Sequence, residues 1–133
     1  MQAAVTWYGV FDFGALAASR PGQADAAAAR LLACKGACTE ADYGPASPVT
    51  YIDAKDPPFL LIHGDDDQTV PVAQSHIAEA RLKAAGVPVE AIYIPGVDHS
   101  FIGKTPETTR AATLRATNAT FDFFHKVLDG KAR

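Results

Sequence analysis

The chain has 133 residues, enough for one domain with a core, and 48% of them are hydrophobic. Its 12 basic and 15 acidic side chains give a net charge of −3 with no basic cluster, which argues against nucleic acid or an anionic membrane as a partner. No apolar run approaches the roughly 18 residues of a membrane span, and the start lacks the basic, apolar and small-residue segments of a secretory leader, so no visible address marks a compartment.

In chain order, Ala3 to Tyr8 reads as a short strand rich in β-branched and aromatic residues and ended by Gly9. Val10 to Gly14 follows as a loop over the strand's end, where Phe11 and Phe13 either line an acyl or aromatic pocket or close the local core. Pro21-Gly22 marks a turn, and Gln23 to Ala33 is a predicted helix with Leu31 and Leu32 as apolar anchors. Cys34 and Cys38, the only two cysteines, form either a local disulfide, which implies an oxidising compartment, or a pair of free thiols. A zinc site is not expected, for lack of two further ligands at finger spacing. Glu40 to Asp53 is punctuated by Pro and Gly, with Ser47-Pro48 as a turn into an extended Val49 to Ile52.

Phe59 to Ile62 is a continuous apolar run of strand length between a Pro pair and a Gly, the mark of a strand covered on both faces of a parallel sheet. It leads into Gly64-Asp65-Asp66-Asp67, an acidic turn at the carboxyl end of the strand, where open α/β sheets place their chemistry. A helix is predicted from Val72 to Ala85, with Pro71 near its first position and Gly86 at its stop. Val87 to Ile94 reads as the next strand and ends in a second polar tip, Gly96-Val97-Asp98-His99-Ser100-Phe101. Two neighbouring parallel strands bring the tips together. Asp67 and His99 are then candidates for the acid and base of a Ser/His/Asp triad, in the chain order acid then base. Thr105-Pro106 starts a last helix, with Leu114, Phe121, Phe124 and Leu128 as its core-facing residues up to Gly130. His76 and His125 fall on helices as solvated or packing residues, and the sequon Asn118-Ala119-Thr120 lies inside the last helix, where glycosylation is not expected.

His63-Gly64-x-x-Asp67-x-x-Val70-Pro71, followed by Gly96-x-x-His99-Ser100-Phe101, resembles the C-terminal part of an α/β-hydrolase of the esterase and prolyl-oligopeptidase-like branch. Ser47-Pro48, Asp56-Pro57-Pro58, Gln74-Ser75 and Trp7-Tyr8-Gly9 extend the likeness over nearly the whole chain. The resemblance implies one α/β domain over residues 1–133, a partial α/β-hydrolase fold with about three core parallel strands and flanking helices. It implies that Asp67 is the triad acid and His99 the base, and that His63 and Gly64 form the strand-end turn. It implies hydrolysis of small carboxylic esters, or of peptides as the second choice, with no metal or organic cofactor.

The nucleophile of that family sits in Gly-x-Ser-x-Gly at a strand-to-helix turn, and none of the four serines here, Ser19, Ser47, Ser75 and Ser100, has Gly two residues to either side. The expectation is therefore a C-terminal half that holds acid and base and is inactive or very weak alone. The alternative is a non-catalytic interaction module that keeps the fold. With the nucleophile strand missing from its side, Ala3 to Tyr8 is expected to be an unpaired edge that recruits a second copy or a complementary N-terminal half.

Overall fold

The structure, a computed structural model, describes residues 1–19 and 29–130. Strand β1 (Ala4–Trp7), strand β2 (Phe59–Gly64) and strand β3 (Val89–Ile94) form one sheet in the order β1-β2-β3. Both joints are parallel: Ala4 lies opposite Phe59, Trp7 opposite Ile62, Phe59 opposite Val89 and Gly64 opposite Ile94. The central apolar run is buried on both faces, as a parallel sheet demands. Leu60 and Ile62 face one core with Ile94, Val97, Phe101 and Phe123, while Leu61 faces a second with Phe11, Ala78, Leu82 and Val87.

Four helices are complete within the described residues: α1 (Phe13–Ser19), α2 (Glu40–Ala46), α3 (Ala73–Ala84) and α4 (Pro106–Asp129). Helix α3 ends where the sequence says it should, with Gly86 in the left-handed region at φ +76°. Helix α4 opens with the expected cap, since the Thr105 hydroxyl accepts from the Thr108 amide and the Thr108 hydroxyl accepts from the Thr105 amide. None of the described helices is long and apolar enough to cross a membrane.

Several expectations are corrected. Val49 to Ile52 is not extended: Pro48–Thr50 is a single 3-10 turn, tied to the first loop by the Val49 amide donating to the Phe11 carbonyl. Phe13 opens α1, whose N-terminus is capped by the Asp12 carboxylate accepting from the Ala15 amide at 2.9 Å. Glu40 to Ala46 is a helix, started by Asp42 accepting from both the amide and the hydroxyl of Thr39. The phase of α4 is reversed from the reading based on bulky residues. Leu114, Phe121 and Leu128 are 50%, 60% and 40% exposed, whereas Ala112, Ala116 and Phe123 are buried. Small side chains let the helix approach the sheet closely, so alanines and not leucines mark its inner face. Phe124 is half-buried against the same core.

The Pro21-Gly22 turn and most of the helix predicted from Gln23 lie outside the described residues, and residues 29–32 are helical. Cys34 and Cys38 are joined, with Cα atoms 5.4 Å apart and Gly36 in the left-handed region at φ +114° between them. So short a loop removes little chain entropy and contributes only modestly to stability.

Candidate active site

The two polar tips are laced together by their backbones before any side chain takes part. The Asp65 amide donates to the Ile94 carbonyl, and the Asp66 amide to the Val97 carbonyl. The Asp65 carboxylate accepts from the Gly96 amide at 2.7 Å, and the Asp98 carboxylate accepts from the amides of Gln68 and His99 at 2.7 and 2.6 Å. Gly64 allows this approach, because a Cβ there would fall on the Val97 carbonyl oxygen.

Within that frame, Asp67 is fully engaged. Its Oδ1 accepts from the amides of Thr69 and Val70 at 2.8 and 2.7 Å, and its Oδ2 lies 2.9 Å from His99 Nδ1. A carboxylate oxygen can only accept in that bond, so His99 carries hydrogen on Nδ1 and offers Nε2 as an acceptor. The Asp67 side chain is buried and that of His99 is 30% exposed. An oriented imidazole with one nitrogen on a buried carboxylate and the other available is equipped to take up and return a proton.

His63, read from the sequence as part of the turn, has a further place. It is fully buried, with Nε2 at 2.8 Å from the Val70 carbonyl and 3.2 Å from Asp67 Oδ2, and Nδ1 at 2.6 Å from Ser75 Oγ. A carbonyl can only accept, so Nε2 carries the hydrogen and Nδ1 accepts from the Ser75 hydroxyl. Burial pushes the His63 imidazole below its ordinary range, against the opposing pull of the Val70 carbonyl and Asp67. The signal in the sequence was a histidine closing an apolar strand four residues before the acid.

This predicts a pH dependence of stability. The unfolded chain takes up a proton at His63 near the ordinary value of about 6.5, while the folded chain does not until lower pH, so stability is present above that value and falls as the solution is acidified towards the folded value. Denaturant unfolding between about pH 7 and pH 5.5 should show a slope of up to about 1.4 kcal/mol per pH unit from this group. His63→Gln should flatten it; an unchanged slope would assign the effect elsewhere.

Of the other predicted residues, Phe11 is buried in the core beside Leu61 and Leu82, and Phe13 is half-buried at the start of α1. The Phe11 and Asp12 amides both donate to Gln74 Oε1, and the Phe13 amide donates to Ser47 Oγ, so buried polar side chains pin this loop. Ser47 also donates to the Tyr43 carbonyl and Ser75 to His63. Ser19 donates to the Leu16 carbonyl, and Ser100 is exposed beside His99 with φ +60°. His76 and His125 are exposed, and Asn118 lies within α4. Among the described residues no group of three or more His, Cys, Asp or Glu side chains is arranged to hold a metal ion.

Residues 1–82, a span that includes Asp67 and ends before His99, match the BD-FAE family. The chain belongs to that family. This BD-FAE chain is 34% identical over 103 residues to the probable carboxylic ester hydrolase LipM of Mycobacterium tuberculosis, a match covering 76% of the chain and 24% of LipM. It is 40% identical over 57 residues to the esterase LipQ of the same organism, covering 42% of the chain and 14% of LipQ. The chain thus spans about a quarter or less of the length of these two relatives. Among solved structures, a truncated carbohydrate esterase from gut microbiota matches with a TM-score of 0.67 and 29% identity, over 88% of this chain and 43% of that one. A puromycin-hydrolysing peptidase of Mycobacterium tuberculosis shares the fold, with a TM-score of 0.76 at 22% identity over 96% of this chain and 19% of that one. The BD-FAE chain accordingly has the fold of an esterase-like α/β-hydrolase, and its curated relatives include carboxylic ester hydrolases.

Proposed function

We propose that this BD-FAE chain supplies the acid, Asp67, and the base, His99, of a serine carboxylic-ester hydrolase whose nucleophile lies in a Gly-x-Ser-x-Gly segment outside these residues. What supports the reading is the 2.9 Å contact between His99 Nδ1 and the buried Asp67 Oδ2 at the carboxyl ends of adjacent parallel strands. In the reaction, His99 Nε2 takes the proton from the attacking serine hydroxyl and returns it to the leaving alcohol, and Asp67 holds the tautomer and faces the imidazolium. The acyl group is then removed by water through the same proton path. Substrates are small esters; a matched relative described as an uncharacterized peptidase, YtmA of Bacillus subtilis, 35% identical over 60 residues, keeps a peptide amide as the second choice.

The test is reconstitution. Co-expression with an upstream BD-FAE segment bearing Gly-x-Ser-x-Gly should give hydrolysis of a p-nitrophenyl ester that His99→Ala and Asp67→Ala abolish. The chain alone should show almost none and should not be labelled stoichiometrically by a fluorophosphonate; such labelling would defeat the reading, as would reconstituted activity indifferent to His99. An anilide peptide run beside the ester separates the two substrate classes.

The same reading assigns a partner to β1. The amides of Ala4 and Tyr8 donate to the Pro58 and Ile62 carbonyls of the β2 side, so by the alternation of a strand the amides of Val5 and Trp7 point the other way. Among the described residues no strand lies there. We expect this edge to pair with the complementary segment or, in its absence, with a second copy. Sedimentation at micromolar concentration should show more than a single 14.0 kDa species. Val5→Pro, which removes one outward amide and leaves the β2 ladder intact, should shift the assembly towards monomer.

A further inference from the structure

Tyr8 stands in the left-handed region at φ +43°, although the next residue, Gly9, is the one for which that conformation is free. A bulky residue there is a genuine outlier that the surroundings must hold in place. Two holds are visible. The Tyr8 amide donates to the Ile62 carbonyl at 2.8 Å, and its ring packs edge-on against Phe101 with centroids 5.0 Å apart. The turn that this backbone makes brings the phenol ring to His99, centroid to centroid 4.5 Å with the planes tilted by 56°. From the other side, Ser100 and Phe101 are also left-handed, at φ +60° and +59°, so the unusual backbone of both segments is concentrated where they meet at the imidazole.

We propose that Tyr8 is a positioning residue that holds the His99 ring against Asp67 and stabilises its imidazolium through the π-face of the phenol, an assignment that rests on His99 being the base proposed above. A cation within about 6 Å of an aromatic centroid is attracted by the ring quadrupole. Asp67 meets the imidazole at Nδ1, and the Tyr8 ring packs against the imidazole with its plane tilted by 56°.

The test uses the chain as it is. Diethyl pyrocarbonate is attacked by a neutral imidazole nitrogen: a bond forms between Nε2 and a carbonyl carbon as the bond to ethyl carbonate breaks. Ethyl carbonate takes a proton and falls apart to ethanol and carbon dioxide, and the Nδ1 proton leaves to solvent. Positive charge grows on the ring during the attack, so the rate reports what stabilises an imidazolium. Peptide mass spectrometry gives the carbethoxylation rate of His99 relative to exposed His125 in the same sample. Tyr8→Phe should stay within about twofold of the unaltered chain, while Tyr8→Leu and Tyr8→Asn should be slower by about 3- to 10-fold. Asparagine visits the left-handed region readily, so that variant removes the ring and keeps the backbone. An unchanged or faster rate in the folded Leu or Asn variant, or a slow rate in the Phe variant, would overturn the proposal. Asp67→Ala is read separately: if it leaves the His99 rate unchanged, the acid–base reading itself fails, whatever Tyr8 does.

Discussion

Asp67→Asn should reverse the tautomer of His99 and lower the turnover of the reconstituted esterase by about 10⁴-fold, the order seen when a triad acid is made neutral without change of shape. The direction follows from the hydrogen bonds. Oδ1 is fixed as an acceptor by the amides of Thr69 and Val70, so the amide group of the asparagine must occupy the Oδ2 position. There it faces the Nδ1 hydrogen of His99, donor against donor, and a neutral imidazole relieves the clash by moving its hydrogen to Nε2. Nε2 then has no lone pair with which to take a proton from serine. The ¹⁵N shifts of His99 in the isolated chain read the reversal without any need for activity. A His99 that keeps hydrogen on Nδ1 in the variant would show that Asp67 does not set the tautomer.

Gly64→Ala should destabilise the chain by about 3 kcal/mol, the upper range for forcing an atom into a packed site. The new methyl would fall on the Val97 carbonyl, which is backbone and also accepts from the Asp66 amide. Relief therefore requires parting the acid tip from the base tip. Gly44→Ala supplies the contrast, since it lies in α2 with nothing within 4 Å of the place a Cβ would take. Only the ring of the following Pro45 opposes a Cβ on a helical residue before it, so an alanine there should cost no more than about 1 kcal/mol. Urea midpoints of the two variants measure both; a Gly64→Ala protein as stable as the unaltered chain would mean that the close approach of the tips is not needed.

How far the sequence was legible depends on whether one residue or several decide a feature. The central strand was visible because Phe59 to Ile62 is apolar without interruption, which only two covered faces require. Pro71 and Gly86 bracketed α3 through their own backbone preferences, and the contact of Asp67 with His99 followed once both strands were parallel neighbours. What stayed hidden was decided by partners distant in the chain. Helix α1 depends on Asp12 as a cap, on Gln74 holding the two residues before it and on Ser47 holding its first residue, and none of these side chains announces that task. The inner face of α4 is drawn by alanines at 112 and 116, which hydrophobic periodicity weights less than Leu114 or Phe121. His63 looked like part of a turn because its partners, Val70 and Ser75, reach it only after the chain folds back.

The sheet also sets an order of assembly. Strands β2 and β3 are joined through α3 as one compact βαβ unit, whereas β1 finds its place on β2 only across the much longer separation from Ala4 to Phe59. Loop closure over that distance comes before any reward from strand pairing, so the central unit can nucleate while β1 is still searching. During synthesis the order is inverted: β1 leaves the ribosome before β2 and must wait, with Val5 and Trp7 not yet paired to it, until β2 has followed. Of these three strands the earliest made is the last to be placed, and in that interval it depends on whatever shields its apolar residues.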